Sequence, residues 1–126
     1  MFLQLDDNGY LNKGQMHIKA TLESDTHKSF LLQINNKDET IATLKKKIGE
    51  KMGSTYEMYK GLRNLQASKI VRKLVINNLQ QTLVVSNDSD TVMTVLQDGE
   101  EIFFELESED LWLQVAFHMY TLDGLP

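Results

Sequence analysis

Residues 69–85 read Lys69-Ile70-Val71-Arg72-Lys73-Leu74-Val75-Ile76-Asn77-Asn78-Leu79-Gln80-Gln81-Thr82-Leu83-Val84-Val85. From Ile70 the pattern has period two. Val71, Lys73 and Val75 fall on one face, and Ile70, Arg72, Leu74 and Ile76 on the other. Asn77-Asn78 is a tight turn, because asparagine tolerates positive φ. Leu79 to Val85 is the return strand, so the stretch is a β-hairpin.

Upstream, Met16, Ile18, Ala20 and Leu22 alternate with His17, Lys19 and Thr21, which is a half-buried strand. Glu23-Ser24-Asp25-Thr26 is a turn, and Phe30, Leu32 and Ile34 continue period two on a second strand. Ile41, Leu44, Ile48 and Met52 then step by three, four and four residues, which is one helical face. Thr40 is its N-cap, Asp38 and Glu39 suit the positive end of its dipole, and Gly53 is its stop. Residues 54–68 read either as a short helix capped by Ser54 or as a packed loop carrying Tyr56 and Tyr59. Downstream, Asp90 caps a turn at Thr91–Leu96, Asp98-Gly99 turns again, and Ile102, Phe104 and Leu106 alternate with Phe103, Glu105 and Glu107. The chain divides into an N-terminal extension (1–13), one α+β domain (14–107) and an apolar tail (108–126).

Three stretches carry a family likeness: Thr40-Ile41-x-x-Leu44-Lys45-x-Lys47-Ile48, Lys73-Leu74-Val75-Ile76-Asn77-Asn78 with Leu83, and Asp90-Thr91-Val92 with Leu96, Asp98-Gly99, Ile102 and Phe104. In this combination the chain resembles ubiquitin and its β-grasp relatives. The resemblance implies a mixed five-stranded sheet in the order two, one, five, three, four, with one main helix across a face. Strands one and five would be parallel, and five and three antiparallel. The inward set would be Ile18, Ala20, Phe30, Leu32, Ile34, Ile41, Leu44, Ile48, Leu74, Ile76, Leu83, Leu96, Ile102, Phe104 and Leu106.

The net charge of −5 is unevenly spread. Residues 1–44 carry −2, 45–73 carry +7, and 74–126 carry −10 with no Lys or Arg. Antiparallel pairing of strands three and five would bring the two charged blocks together, with Lys73 opposite Glu105 and Val71 near Glu107. That would leave the helix lysines, with Glu107, Glu109 and Asp110, to steer partners.

With no cysteine there is no disulfide framework and no thiol nucleophile. The start lacks the basic flank and long apolar run of a secretory signal, and no stretch is long enough to span a bilayer. A cytoplasmic location follows as the expectation. Asp6, Asn8 and Gly9 match the middle of a calcium loop, but Gln4 and Gln15 occupy its end-ligand positions, so no metal is expected. His17, His27 and His118 are scattered, and there is no nucleophile elbow and no phosphate loop. Neither catalysis nor a cofactor or small-molecule substrate is expected. A ubiquitin-type modifier needs a terminal Gly-Gly, whereas this sequence ends Asp123-Gly124-Leu125-Pro126. A modifier would need processing.

The ubiquitin docking patch lies on the outer face of strands three and five and the first turn. The resemblance carries it onto Val75, Phe103 and Glu105, with Glu23, Ser24 and Asp25 at the turn. Half the patch stays apolar and half becomes acidic. In the tail, Leu113, Val115, Phe117 and Met119 alternate with period two, and Trp112 and Tyr120 fall on the opposite face. This segment is suited to a partner's sheet or groove, or to folding back on its own domain. Lys45, Lys46 and Lys47 suit an acidic protein surface such as a tubulin lattice. The Asn- and Gln-rich, Pro-poor composition also points to a small subunit of a ciliary or microtubule-associated complex. The expected role is a non-catalytic interaction subunit with protein partners. The first alternative is a ubiquitin-like modifier processed at its C-terminus. The second is a nucleic-acid module built on the basic 45–73 block, with Tyr56 and Tyr59 for stacking, placed behind it because the protein is acidic overall.

Overall fold

The computed structural model of the chain describes residues 15–110. The calcium-loop-like turn and the tail positions Trp112, Leu113, Val115, Phe117, Met119 and Tyr120 lie outside the described residues. In order, the elements are β1 (Met16–Leu22), β2 (Ser29–Ile34), α1 (Ile41–Thr55), a 3-10 turn (Glu57–Tyr59), β3 (Gln66–Ile76), β4 (Leu79–Val84), α2 (Val92–Val95) and β5 (Glu101–Glu107).

The start of α1 is over-determined. The Thr40 hydroxyl accepts the Thr43 N–H at 3.3 Å, as the sequence implies. The Ile41 and Ala42 N–H groups donate to the Asp90 and Asp88 carbonyls at 2.9 and 3.1 Å. The 88–90 loop therefore satisfies donors that a helix start leaves open. Asp90 serves here through its backbone. It does not cap the short α2, whose N-cap is Thr91 without a side-chain bond. Gly53 does not stop α1. Its φ is not positive, and the helix runs on until the Tyr56 N–H bonds the Met52 carbonyl.

The strands form one mixed sheet in the order β2-β1-β5-β3-β4. β1 and β5 are parallel, and β5 and β3 antiparallel. This is the expected order, and the architecture is α+β with one main helix. The core lies between α1 and the inner sheet face. Ile18, Ala20, Leu32, Ile34, Ile41, Leu44, Ile48, Met52, Ile70, Val92, Leu96, Ile102 and Phe104 are buried. No helix among the described residues is long and apolar enough to cross a membrane.

The register of β3 against β5 differs from expectation. Lys69, not Lys73, stands opposite Glu105, and Val71 faces Phe103 rather than Glu107. The physical reason is that β3 begins four residues earlier than its alternating pattern, at Gln66. A bulge between Ala67 and Lys69 absorbs the irregular start. A slip of four is even, so every side chain keeps its face while its neighbours change. The pairing with β5 ends at Arg72–Ile102, and β3 runs on past the end of β5. Three expected core residues are therefore outside the core. Leu74 is half-buried, and Ile76 and Leu83 are each 42% exposed.

Candidate interaction surface

The outer sheet face and the projecting β3–β4 hairpin carry the residues of interest. Phe103 lies between Thr21 on β1 and Val71 on β3, all pointing outward. It is half-buried rather than open. The Lys73 ammonium sits 4.1 Å from the ring centroid and 3.0 Å from Glu23 Oε1. One lysine thus covers the ring and ties the first turn to β3. A cation over an aromatic face contributes about 0.5–1 kcal/mol when solvent reaches it. A depression of about 240 Å³ remains beside the ring, bordered by Glu23, Lys69, Thr82 and Glu105.

Val75 stands on the same face, 73% exposed, one outward position beyond Lys73. Lys73 therefore separates it from Phe103, and the two do not form one continuous patch. Val75 instead belongs to the hairpin end. There Ile76 and Leu83 are exposed on the inner face with Leu79, which is 67% exposed. The Asn77-Asn78 turn has positive φ at both residues (53° and 66°), the signature of a two-residue hairpin. Leu79 and the whole of β4 were not anticipated as surface. The signal was present, since no charged residue occurs from Leu74 to Asn87.

The basic block is largely neutralised within the domain. Lys45 pairs with Asp88 (2.7 Å) and Lys47 with Glu39 (2.9 Å). Arg63 pairs with Asp110 (3.1 Å) and Lys69 with Glu105 (3.7 Å). Lys73 meets Glu23, and Arg72 grips Glu100, with Nη2 donating to Oε1 at 2.9 Å. Of this block, Lys46, Lys51 and Lys60 have no carboxylate within 4 Å among the described residues. Glu107 and Glu109 are likewise engaged, by the side-chain amides of Gln66 and Asn64. The charges expected to be free for steering are mostly paired, and Lys46 is the exposed member of the helix trio.

Three pairs shift titration, the first being Asp25, lowered by its hydrogen bond from Lys28. The Glu100 hydrogen bond raises the Arg72 guanidinium above its ordinary value. The Arg63 N–H and guanidinium hold the Asp110 carboxyl below its ordinary range. Glu39 is less well served. Its Oε2 is buried without a hydrogen-bond partner among the described residues, so it leans on the single bond from Lys47 to Oε1. No three His, Cys, Asp or Glu side chains gather at metal-binding distance among the described residues.

No family model matches the chain, and no curated protein does. A solved structure, exotoxin 6 from Staphylococcus aureus subsp. aureus Mu50, is 17% identical over 74% of this chain with a TM-score of 0.37. The aligned part is 49% of that exotoxin chain, so this chain spans about half its length. A likeness this remote assigns neither fold family nor function.

Proposed function

We propose that the chain is a non-catalytic, ubiquitin-like β-grasp subunit that docks on protein partners. The strand order with its parallel β1–β5 pair supports the β-grasp reading. The observation that carries the docking reading is the projecting hairpin end, where Val75 is 73% exposed on the outer face and Ile76, Leu79 and Leu83 are exposed on the inner face. Apolar side chains exposed on both faces of a projecting element are suited to anchoring a partner. Phe103 is a secondary contact, covered on one ring face by Lys73 and bordering the depression beside it. The apolar 112–120 segment adds a further contact on sequence grounds alone.

The neutralised basic block weighs against phosphate binding, because most of its cations already face carboxylates. The same pairing weakens the case for an acidic lattice such as tubulin, leaving Lys46 as the main helix contribution.

The test is chemical crosslinking of the tagged protein in its native cell, comparing wild type with Val75→Asp and Lys46→Glu. Val75→Asp is expected to lose the crosslinked partner while keeping a native amide spectrum. An unchanged partner set in both variants counts against the proposal. So does recovery of the protein joined covalently to lysines, which would make it a processed modifier. Salt-dependent retention on nucleic acid would favour the basic-block reading.

A further inference from the structure

The two edges of the sheet are treated differently. Along β2, side chains from the helical segment occupy outward carbonyls. The Lys47 ammonium bonds the Gln33 carbonyl at 3.3 Å, and the Tyr56 hydroxyl bonds the Ser29 carbonyl at 3.3 Å. Along β4, no side chain does this among the described residues. β4 reads Leu79-Gln80-Gln81-Thr82-Leu83-Val84, with no charge and no proline, and it pairs with β3 without a bulge from Val71–Val84 to Ile76–Leu79. Natural edge strands are normally blunted by one of those devices.

The direction of the free backbone groups follows from one bond. The Val85 N–H donates to the Ile70 carbonyl at 2.9 Å. By alternation Leu83, Gln81 and Leu79 turn their backbone groups toward β3. Gln80, Thr82 and Val84 turn theirs outward, as a six-residue template for another strand.

We propose that this edge pairs with the same edge of a second copy of the chain, antiparallel about a two-fold axis at Gln81. The symmetry restricts the choice. An antiparallel two-fold between edge strands must stand perpendicular to the sheet, and it keeps inner faces on one side. Opposed residue numbers must then add to an even sum, because only those share a face. Centring on Gln81 places Leu79 against the second copy's Leu83, and Leu83 against the second copy's Leu79. Gln80 meets the second copy's Thr82. The leucine pairs fall on rungs without hydrogen bonds, where side chains approach most closely. The two Gln81 amides meet on the axis, where each can both donate and accept. No charge on either edge opposes the approach, although the chain as a whole is acidic. One short strand makes a small interface, so the dimer forms at high or locally raised concentration. This inference does not depend on the docking reading above.

The chain contains no cysteine, so a single introduced thiol reports cleanly. In this register the two Gln81 Cα atoms lie about 4.5 Å apart, within disulfide reach. The two Gln80 Cα atoms lie about 9 Å apart, outside it. On mild oxidation of the full chain, Gln81→Cys is expected to crosslink at least about tenfold faster than Gln80→Cys. Adding Thr82→Pro, which removes an outward N–H and leaves the β3 ladder intact, is expected to abolish that crosslink. In the unmodified protein, hydrogen exchange at Gln80, Thr82 and Val84 is expected to slow as concentration rises. Equal crosslinking at the two positions, or fastest crosslinking at Gln80, overturns the proposal. Concentration-independent protection of those amides in a monomer also overturns it, and would mean that the chain's own 111–126 segment or another molecule covers the edge.

Discussion

Replacing Gly49 by alanine sets two effects of opposite sign against each other. Gly49 lies on the buried face of α1. Helix propensity alone makes Gly→Ala stabilising by about 0.5–1 kcal/mol. Packing says otherwise. A Cβ at this position would lie 1.9 Å from the Leu65 carbonyl oxygen, 2.4 Å from its carbon and 2.7 Å from the Gln66 Cα. A tolerable carbon–oxygen contact is about 3.3 Å, so helix and strand must separate by roughly 1.4 Å. The obstacle is backbone and cannot rotate away. Relieving it disturbs the Gln66–Glu107 and Ala67–Leu106 rungs where β3 begins. Overpacking costs about 1–3 kcal/mol, and a backbone clash belongs at the upper end. Net destabilisation should be about 2 kcal/mol, or a Tm lowered by about 8–16 °C for a domain this size. Gly53→Ala is the internal control. Its Cβ would meet only ordinary contacts, 3.6 Å to the Tyr59 carbonyl oxygen and 3.8 Å to Leu65 Cδ2. It should gain about 0.5–1 kcal/mol. Both substitutions lower unfolded-chain entropy alike, so the difference between them reports the folded state. Urea unfolding followed by circular dichroism measures both. A Gly49→Ala protein as stable as Gly53→Ala would refute the close approach of helix and β3.

Arg72→Met should lower stability by about 2–3 kcal/mol in urea titrations, because it leaves the largely buried Glu100 carboxylate without its counter-charge. Adding Glu100→Gln should recover part of that loss, and a double variant no better than the single one would argue against the pair. Lys47→Met removes the cation from a Glu39 side chain that is only 8% exposed, and should cost about 1–3 kcal/mol. Lys46→Met, on the exposed flank, should change unfolding little. Asp25 and Asp110 are held below the ordinary carboxylate range, by Lys28 and by Arg63. Their stabilisation is therefore complete above the pH at which an unfolded Asp titrates. It is lost as pH falls through their lowered folded values. The Arg63 amide shift followed by NMR should move below the ordinary Asp titration, and movement at the ordinary position would contradict the clamp.

Much of this was legible in the residues, for identifiable reasons. Strands β1, β2 and β5 announce themselves because one face is wet and one dry, which imposes period two. The α1 face and the Thr40 cap follow from spacing and hydrogen-bond chemistry that act over a single turn. The strand order came from the ubiquitin resemblance, and the structure has it. Register was not legible. Nothing in Gln66-Ala67-Ser68 alternates, so the pattern places the start of β3 at Ile70, and the expected Lys73–Glu105 pair follows from that misplaced start. The false core members Leu74, Ile76 and Leu83 share the same cause, since their alternation is real but β3 runs on past its pairing with β5. Gly53 looked like a helix stop because glycine often is, yet only its φ could decide. Among the candidate contacts, Val75 is open, Phe103 sits under Lys73, and Lys45 and Lys47 face Asp88 and Glu39. Those pairings join residues 8 to 43 apart in the chain, and local spacing does not encode them.

Among the described residues, the last strand in chain order sits in the middle of the sheet. β5 lies between β1 and β3, so before it arrives the first hairpin and the second share no sheet partner. The α1 start waits too, since its first two amides bond the 88–90 loop and the Val92 N–H bonds the Glu39 carbonyl. During synthesis the growing chain can form two separate hairpins and a frayed helix, but not the joined sheet, until residues near Glu107 clear the ribosome. Folding should then be late, slow for the domain's size and all-or-none, because closure rests on contacts distant in sequence. Until that moment the uncharged 74–87 stretch is exposed on a nascent chain, which makes this interval the one in which chaperone engagement matters most.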